Sequence, residues 1–180
     1  TGLSDGTSYT FTVTATNSVG TSVASSASTS ATTASFYTVT FNPKGGTSVA
    51  NGSFASASTV SEPTAPTRSG YTFAGWSATD GGTAETFPYA PGVTTNITMY
   101  AKWTALDNAV TFDSKSGSSV TSTVFASGGT VSEPTAPTRT GYTFAGWSAT
   151  DGGTAITFPY APGVVTAITL YAKWTAQNYV

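Results

Sequence analysis

Gly70-Tyr71-Thr72-Phe73-Ala74-Gly75-Trp76 decides how this chain is built, because it returns unchanged 71 positions later as Gly141-Tyr142-Thr143-Phe144-Ala145-Gly146-Trp147. The same offset relates Trp103 to Trp174, Phe41 to Phe112, Lys44 to Lys115, Phe54 to Phe125 and Glu62 to Glu133, with no gap. Between Thr59–Ala105 and Thr130–Ala176, 47 aligned positions differ at five: Ser69/Thr140, Glu85/Ile156, Thr94/Val165, Asn96/Ala167 and Met99/Leu170. Self-similarity at one fixed period marks a tandem array in which each unit is a small fold of its own. Tyr179 lies two periods after Tyr37, so residues 178–180 read as the opening of a third repeat.

Within a repeat the strand signals are local. Tyr37, Val39 and Phe41 alternate with Thr38 and Thr40, which is period two with one apolar face. Ile97, Met99, Ala101 and Trp103 alternate in the same way with Thr98, Tyr100 and Lys102. Tyr71 and Phe73 share a parity that Trp76 breaks; Gly75 sits between them, where one extra residue would form a bulge and re-aim the indole. Pro63 and Pro66 remove backbone donors, so Glu62 to Thr67 reads as an extended crossing, not a central strand or helix. Asp80-Gly81-Gly82 reads as a turn, and Pro88 with Pro91-Gly92 as a second loop.

Composition agrees with a mostly β chain. Aromatics are 13% of the residues, too many for a disordered chain, although only 8% are charged. Thr, Val, Tyr and Phe favour strands, while Gly and Pro supply the turns. Net charge is −2 and the six basic residues are scattered, so no basic face exists to displace counterions from a nucleic acid. No apolar run is long enough to span a bilayer, which argues against direct membrane insertion. Cys and His are absent, which removes disulfides and thiolate or imidazole metal sites.

The run from Pro63 to Trp76, followed by Met99-Tyr100-Ala101-Lys102-Trp103, resembles the Listeria–Bacteroides repeat, also known as the internalin B-repeat. The second copy runs from Pro134 to Trp147 and closes on Leu170-Tyr171-Ala172-Lys173-Trp174. The resemblance implies a small β-grasp-like fold, repeated in tandem on secreted or surface proteins. Met99 stands where that family usually has Leu, a volume-conserving exchange.

The first 35 residues differ. Leu3-Ser4-Asp5-Gly6-Thr7-Ser8-Tyr9, followed by Phe11, Val13, Ala15, Asn17 and Gly20, resembles the end of a fibronectin type III domain, an Ig-like sandwich. Tyr9 would be its tyrosine-corner residue. The expected organisation is therefore a partial fibronectin-like segment with linker (1–35), two repeat domains (36–106 and 107–177), and the start of a third (178–180). A lone hairpin is marginal in water, so Phe11, Val13 and Ala15 need partners from sequence beyond this segment or from another chain.

Few residues suggest chemistry. Acid–base catalysis needs His or paired carboxylates, and Asp107 with Asp113 is the nearest approach to a pair. No catalytic residue, cofactor or metal is expected, and the chain is read as not an enzyme. Charges recur with the period (Lys44/Lys115, Glu62/Glu133, Arg68/Arg139, Asp80/Asp151 and Lys102/Lys173), as fold-serving residues must. Arg68 and Glu62 either pair across the proline crossing or stand solvated. One Asp in each Asp-Gly-Gly turn falls short of a calcium site. An isopeptide crosslink from Lys44 or Lys102 beside Glu62 is a remote alternative, and Asn51-Gly52-Ser53 and Asn96-Ile97-Thr98 match the N-glycosylation pattern.

A small domain poor in Leu and Ile must fill its interior with aromatics. Trp76, Trp103, Trp147, Trp174, Tyr71, Phe73, Tyr142 and Phe144 are thus expected in the core, with Tyr9 as a core residue of the N-terminal segment. Tyr89, Tyr100, Tyr160 and Tyr171 are the candidates for an exposed contact surface. The copies diverge most between Asn42–Ser58 and Asp113–Gly129, where a private partner or drift on a solvated face would show. The function expected is that of an extracellular stalk, spacer or adhesion scaffold on a microbial surface. A filament or sheath segment and a carbohydrate-binding module are the alternatives. Partners would be neighbouring repeats, other copies of the chain, or a host or cell-surface protein or glycan.

Overall fold

The computed structural model describes residues 2–178. Tyr179 and Val180, on which the third-repeat reading leans, lie outside the described residues. Ten strands and no helix are present among the described residues. The chain divides into two compact units: residues up to Lys44 with Ser48–Pro66 and Gly75–Lys102, and Gly45–Thr47 with Thr67–Ala74 and everything from Trp103 onward.

The N-terminal segment forms a hairpin whose named strands are short. β1 (Ser8–Tyr9) and β2 (Ala31–Thr32) pair antiparallel. Between them the two arms step at different rates. Ser22, Ser25 and Ser28 donate their backbone N–H to the carbonyls of Ala15, Val13 and Phe11 at 2.8–2.9 Å. Each of these serines then accepts, on its hydroxyl oxygen, the N–H of the same partner at 3.0 Å. One arm thus advances two residues while the other advances three, so every step is a bulge. The hydroxyl at each step replaces the carbonyl that a regular ladder would have offered. Serines three apart are what that geometry requires.

The first repeat contributes β3 (Phe36–Asn42), β4 (Gly52–Ala55), β5 (Tyr71–Ser77) and β6 (Ile97–Ala105), ordered β4-β3-β6-β5. β3 runs parallel to β6 and antiparallel to β4. The second contributes β7 (Asp107–Asp113), β8 (Thr123–Ala126), β9 (Tyr142–Ser148) and β10 (Ile168–Ala176), ordered β8-β7-β10-β9. The parallel pair sets Val110 beside Ile168 and Phe112 beside Leu170. The two sheets are similar and follow one another along the chain, and the chain is all-β.

Alternation places the cores. Val39, Phe41, Phe54, Val60, Trp76, Met99 and Ala101 are buried in the first repeat. In the second they are Val110, Phe112, Phe125, Val131, Trp147, Leu170 and Ala172, the same positions one period on. Trp147 is 0% exposed and meets Phe112 at 5.0 Å and Phe144 at 5.5 Å between ring centroids. Full burial of so large a ring is what makes a domain this small stable. Ala172 pairs with Trp147 and Trp174 pairs with Phe144, so β9 carries one residue more than β10 between them. That is the bulge expected from the broken parity. Gly146 adopts φ +103° there and Gly75 adopts φ +105° in the first copy, a backbone region that residues with a Cβ avoid.

The proline segments from Glu62 to Thr67 and from Glu133 to Thr138 are neither strand nor helix. In the second, Ser118 donates its N–H to the carbonyl of Thr138 at 2.8 Å, and Thr138 donates its N–H to the Ser118 hydroxyl at 2.9 Å. These few bonds hold an otherwise ladder-free crossing against the repeat.

Candidate functional site

Arg139-Thr140-Gly141-Tyr142 is a tight turn. Tyr142 donates its N–H to the Arg139 carbonyl at 3.1 Å, and Gly141 at the third position has φ +78°, as a type II turn demands. The turn folds the guanidinium back over the tyrosine, 3.9 Å from the ring centroid. Arg68 lies over Tyr71 in the same way, at 3.8 Å. A cation over an aromatic face at such a site contributes about 0.5–1 kcal/mol. This corrects the expectation that Arg68 pairs with Glu62 or stands solvated: no ion pair joins either Arg to a carboxylate among the described residues. Arg and Tyr three apart around Gly was the sequence signal for this stacking.

Trp174 lies half-buried at the same end of the sheet. Its indole N–H donates to the Ser114 carbonyl at 2.9 Å, and its ring meets Phe144 at 5.5 Å. A Cβ on Gly117 would sit 2.6 Å from the ring, so the indole lies directly on that backbone. In the first repeat Gly46 meets Trp103 at 2.5 Å by the same measure. Trp103 and Trp174 are thus half-buried, whereas Trp76 and Trp147 are sealed at 0% exposure. Tyr71, Phe73 and Phe144 are half-buried, Tyr142 is exposed at 36%, and Tyr9 is half-buried on β1.

The Asp-Gly-Gly turns are tied down from two sides. Lys115 Nζ meets Asp151 at 2.7 Å and Lys44 meets Asp80 at 2.7 Å. Lys102 and Lys173 donate to the Gly82 and Gly153 carbonyls. Both lysines imagined in a crosslink are engaged elsewhere, and neither lies on Glu62. Each turn's carboxylate faces an ammonium, the opposite of a cation site. The bond to Asp151 holds the Lys115 ammonium above lysine's ordinary range. That contribution is present through neutral pH and is lost only as pH rises through the raised value. With both partners well exposed the pairs are worth little individually.

The four candidate contact tyrosines are all half-buried. Tyr89 and Val60 exchange backbone hydrogen bonds at 2.7 and 2.9 Å, as Tyr160 and Val131 do at 2.8 and 2.9 Å. Burial, then the Glu85 charge, raises the Tyr89 phenol above its usual range. Tyr100 pairs with Asn42 across β6 and β3, and Tyr171 with Asp113 across β10 and β7. Two shallow grooves lie instead on the second repeat. One, of about 270 Å³, is lined by Ser118–Thr121 and Pro134–Pro137. The other, of about 230 Å³, includes Thr123, Val124, Ser132 and Glu133. None of the four tyrosines lines either groove, and no aromatic platform is assembled in them. Each groove has one wall from the stretch where the copies diverge most and the other from the proline crossing that the copies share.

The repeat geometry has a family. A profile for the Listeria–Bacteroides repeat domain matches residues 37–102 and 109–173, one match for each four-stranded sheet. The chain belongs to this family. Internalin H of Listeria monocytogenes is 41% identical over 123 residues, covering 66% of this chain and 22% of that protein. Two proteins of Evansella cellulosilytica, whose names describe membrane proteins, one of them Gly-rich, are 34% and 32% identical over 120 and 121 residues. Each match covers 67% of this chain, and 18% and 14% of the respective relative. The chain therefore spans less than a quarter of the length of these relatives. No solved structure matches it.

Proposed function

We propose that this chain is a non-catalytic extracellular repeat module, serving as stalk, spacer or adhesion scaffold of a microbial surface protein. One observation carries the reading: the polar contacts repeat together with the core. Lys44–Asp80 and Lys115–Asp151 have the same separation, and Lys102 and Lys173 make the same bond. A residue serving a single reaction need not recur, whereas a residue holding a turn must. The names of the relatives, an internalin and two proteins described as of the membrane, support a cell-surface location. Stability of such an array is a sum of module and neighbour terms, which suits a part that sets distance.

The strand order supports a β-grasp-like reading: numbered within each repeat it is 2-1-4-3 with a parallel central pair, and the proline crossing stands where a helix would pack. The fibronectin-like reading of residues 1–35 is supported by Tyr9, whose phenol oxygen accepts the Ser4 N–H at 2.9 Å, five residues upstream.

A second reading, assembly into a filament, is favoured by the exposed apolar side chains of the hairpin: Leu3 (54%), Phe11 (51%) and Val13 (71%). Sedimentation of the whole chain over a wide concentration range separates the two. The spacer reading expects a monomer throughout. Growth with concentration that disappears on Phe11→Ser would replace it with the filament.

A further inference from the structure

We propose that the face formed by Gly141, Tyr142 and Gln177 is a docking face for one further repeat of this family, carrying Ser-Gly at the positions of Ser127 and Gly128. The inference does not rest on the spacer reading and would hold equally for a binding array.

The second compact unit contains an occupied version of this face. Tyr71 donates its phenol O–H to the Ser127 carbonyl at 2.9 Å. Leu106 donates its N–H to the Gly70 carbonyl, and Ser127 donates its N–H to the Leu106 carbonyl, both at 2.9 Å. A Cβ on Gly70 would lie 2.6 Å from the Val165 Cβ, so that backbone is pressed against the side chain. Asn108, 8% exposed, braces the receiving loop by donating to the Ser127 hydroxyl at 3.0 Å. Gly128 is required by the fit: a Cβ there would stand 2.8 Å from the Tyr71 hydroxyl.

One period on, the donor half recurs with none of the described residues seated on it. Gln177 donates its N–H to the Gly141 carbonyl at 2.9 Å, as Leu106 does to Gly70. Tyr142 is exposed at 36% where Tyr71 is half-buried. A Cβ on Gly141 would meet nothing within 4 Å. Both Gly70 and Gly141 keep φ +78°, so the turn is built identically whether or not it is covered.

The receiving half is absent from the first repeat. The positions of Asn108, Gly128 and Val165 are held there by Tyr37, Ala57 and Thr94. At the position of Gly128 the Ala57 methyl would crowd a docking tyrosine hydroxyl, as a Cβ on Gly128 would crowd that of Tyr71. Asn108 and Gly128 fall where the copies differ often, but Val165 is one of only five differences in the 47 near-identical positions. All three converge on one contact: the second repeat is made to follow another, and the first is not. Both carry the donor turn, so both are made to be followed. The occupant is therefore a repeat of the second type, joined after Gln177.

The test appends a copy of residues 107–177 in frame after Gln177 and introduces Gly70→Ala or Gly141→Ala into the chain with and without it. Both substitutions carry the same strain at the same φ, so their difference isolates docking. Without the added copy, Gly141→Ala should lower the unfolding midpoint less than Gly70→Ala. With it, the two should become equal, the Gly141→Ala midpoint falling by a further 4–8 °C or so. If Gly70→Ala fails to fold, Tyr71→Phe and Tyr142→Phe, which remove only the hydroxyl, replace the pair. Nitration of Tyr142 should slow on adding the copy and recover when the copy carries Gly128→Ala. Equal cost of Gly141→Ala at both lengths, or unchanged Tyr142 reactivity, overturns the proposal. So does self-association of the 180-residue chain that buries Tyr142, since the occupant would then be a repeat of the first type.

Discussion

The hairpin from Thr7 to Thr33 and the repeat that begins at Asp107 are both β-structure held by opposite means. The hairpin satisfies its backbone lavishly, with a serine hydroxyl at every bulged step, yet leaves Phe11 and Val13 half or more exposed. The repeat has fewer such devices and buries Trp147, Val110 and Leu170 at 0–1% exposure. Backbone bonding only exchanges water for protein and gains little net, whereas apolar burial drives folding. The hairpin is thus a shape in need of cover, and the repeat carries its own.

Breaking the repeat at its centre gives the largest effect. Trp147→Ala should cost about 3–5 kcal/mol, the range for deleting a buried aromatic, and abolish the near-ultraviolet signal of the second repeat. Trp174→Ala, removing a half-buried ring, should cost visibly less in the same chemical denaturation series. Equal costs would mean that the two indoles are not distinguished by burial.

A smaller effect has the opposite sign. Ser116 adopts φ +69° where the first repeat has Gly45 at φ +86°. An L-residue in that left-handed region costs about 1–2 kcal/mol, and Gly is free of it. Ser116→Gly should stabilise the second repeat by about 1 kcal/mol or somewhat less, since Gly also gains freedom when unfolded. A loss of stability would show that the Ser116 side chain contributes more than its backbone costs.

The smallest effect sharpens the comparison from the hairpin side. Phe11→Ala in the whole chain should change stability by no more than about 0.5 kcal/mol, as exposed sites do. A cost comparable to that of Trp147→Ala would show that a partner already covers the hairpin face in solution.

The sequence by itself determined the period, the strands and the bulge. Tyr37 to Phe41 had to form a strand with Val39 and Phe41 inside, because side chains alternate in a pleated backbone. Gly75 and Gly146 marked the place where parity breaks, because only Gly tolerates their φ. Asp80-Gly81-Gly82 was legible as a turn for the same local reason. Alternation, however, tells which side of a strand is covered and not how far along it the cover extends. Only the tertiary structure decided that Trp103 and Trp174 sit half-buried on the backbones of Gly46 and Gly117, while Trp76 and Trp147 are sealed. It likewise decided that Tyr71 reaches Ser127, 56 residues away in the chain. Such contacts depend on where separate strands end relative to one another. No pattern confined to one strand encodes that.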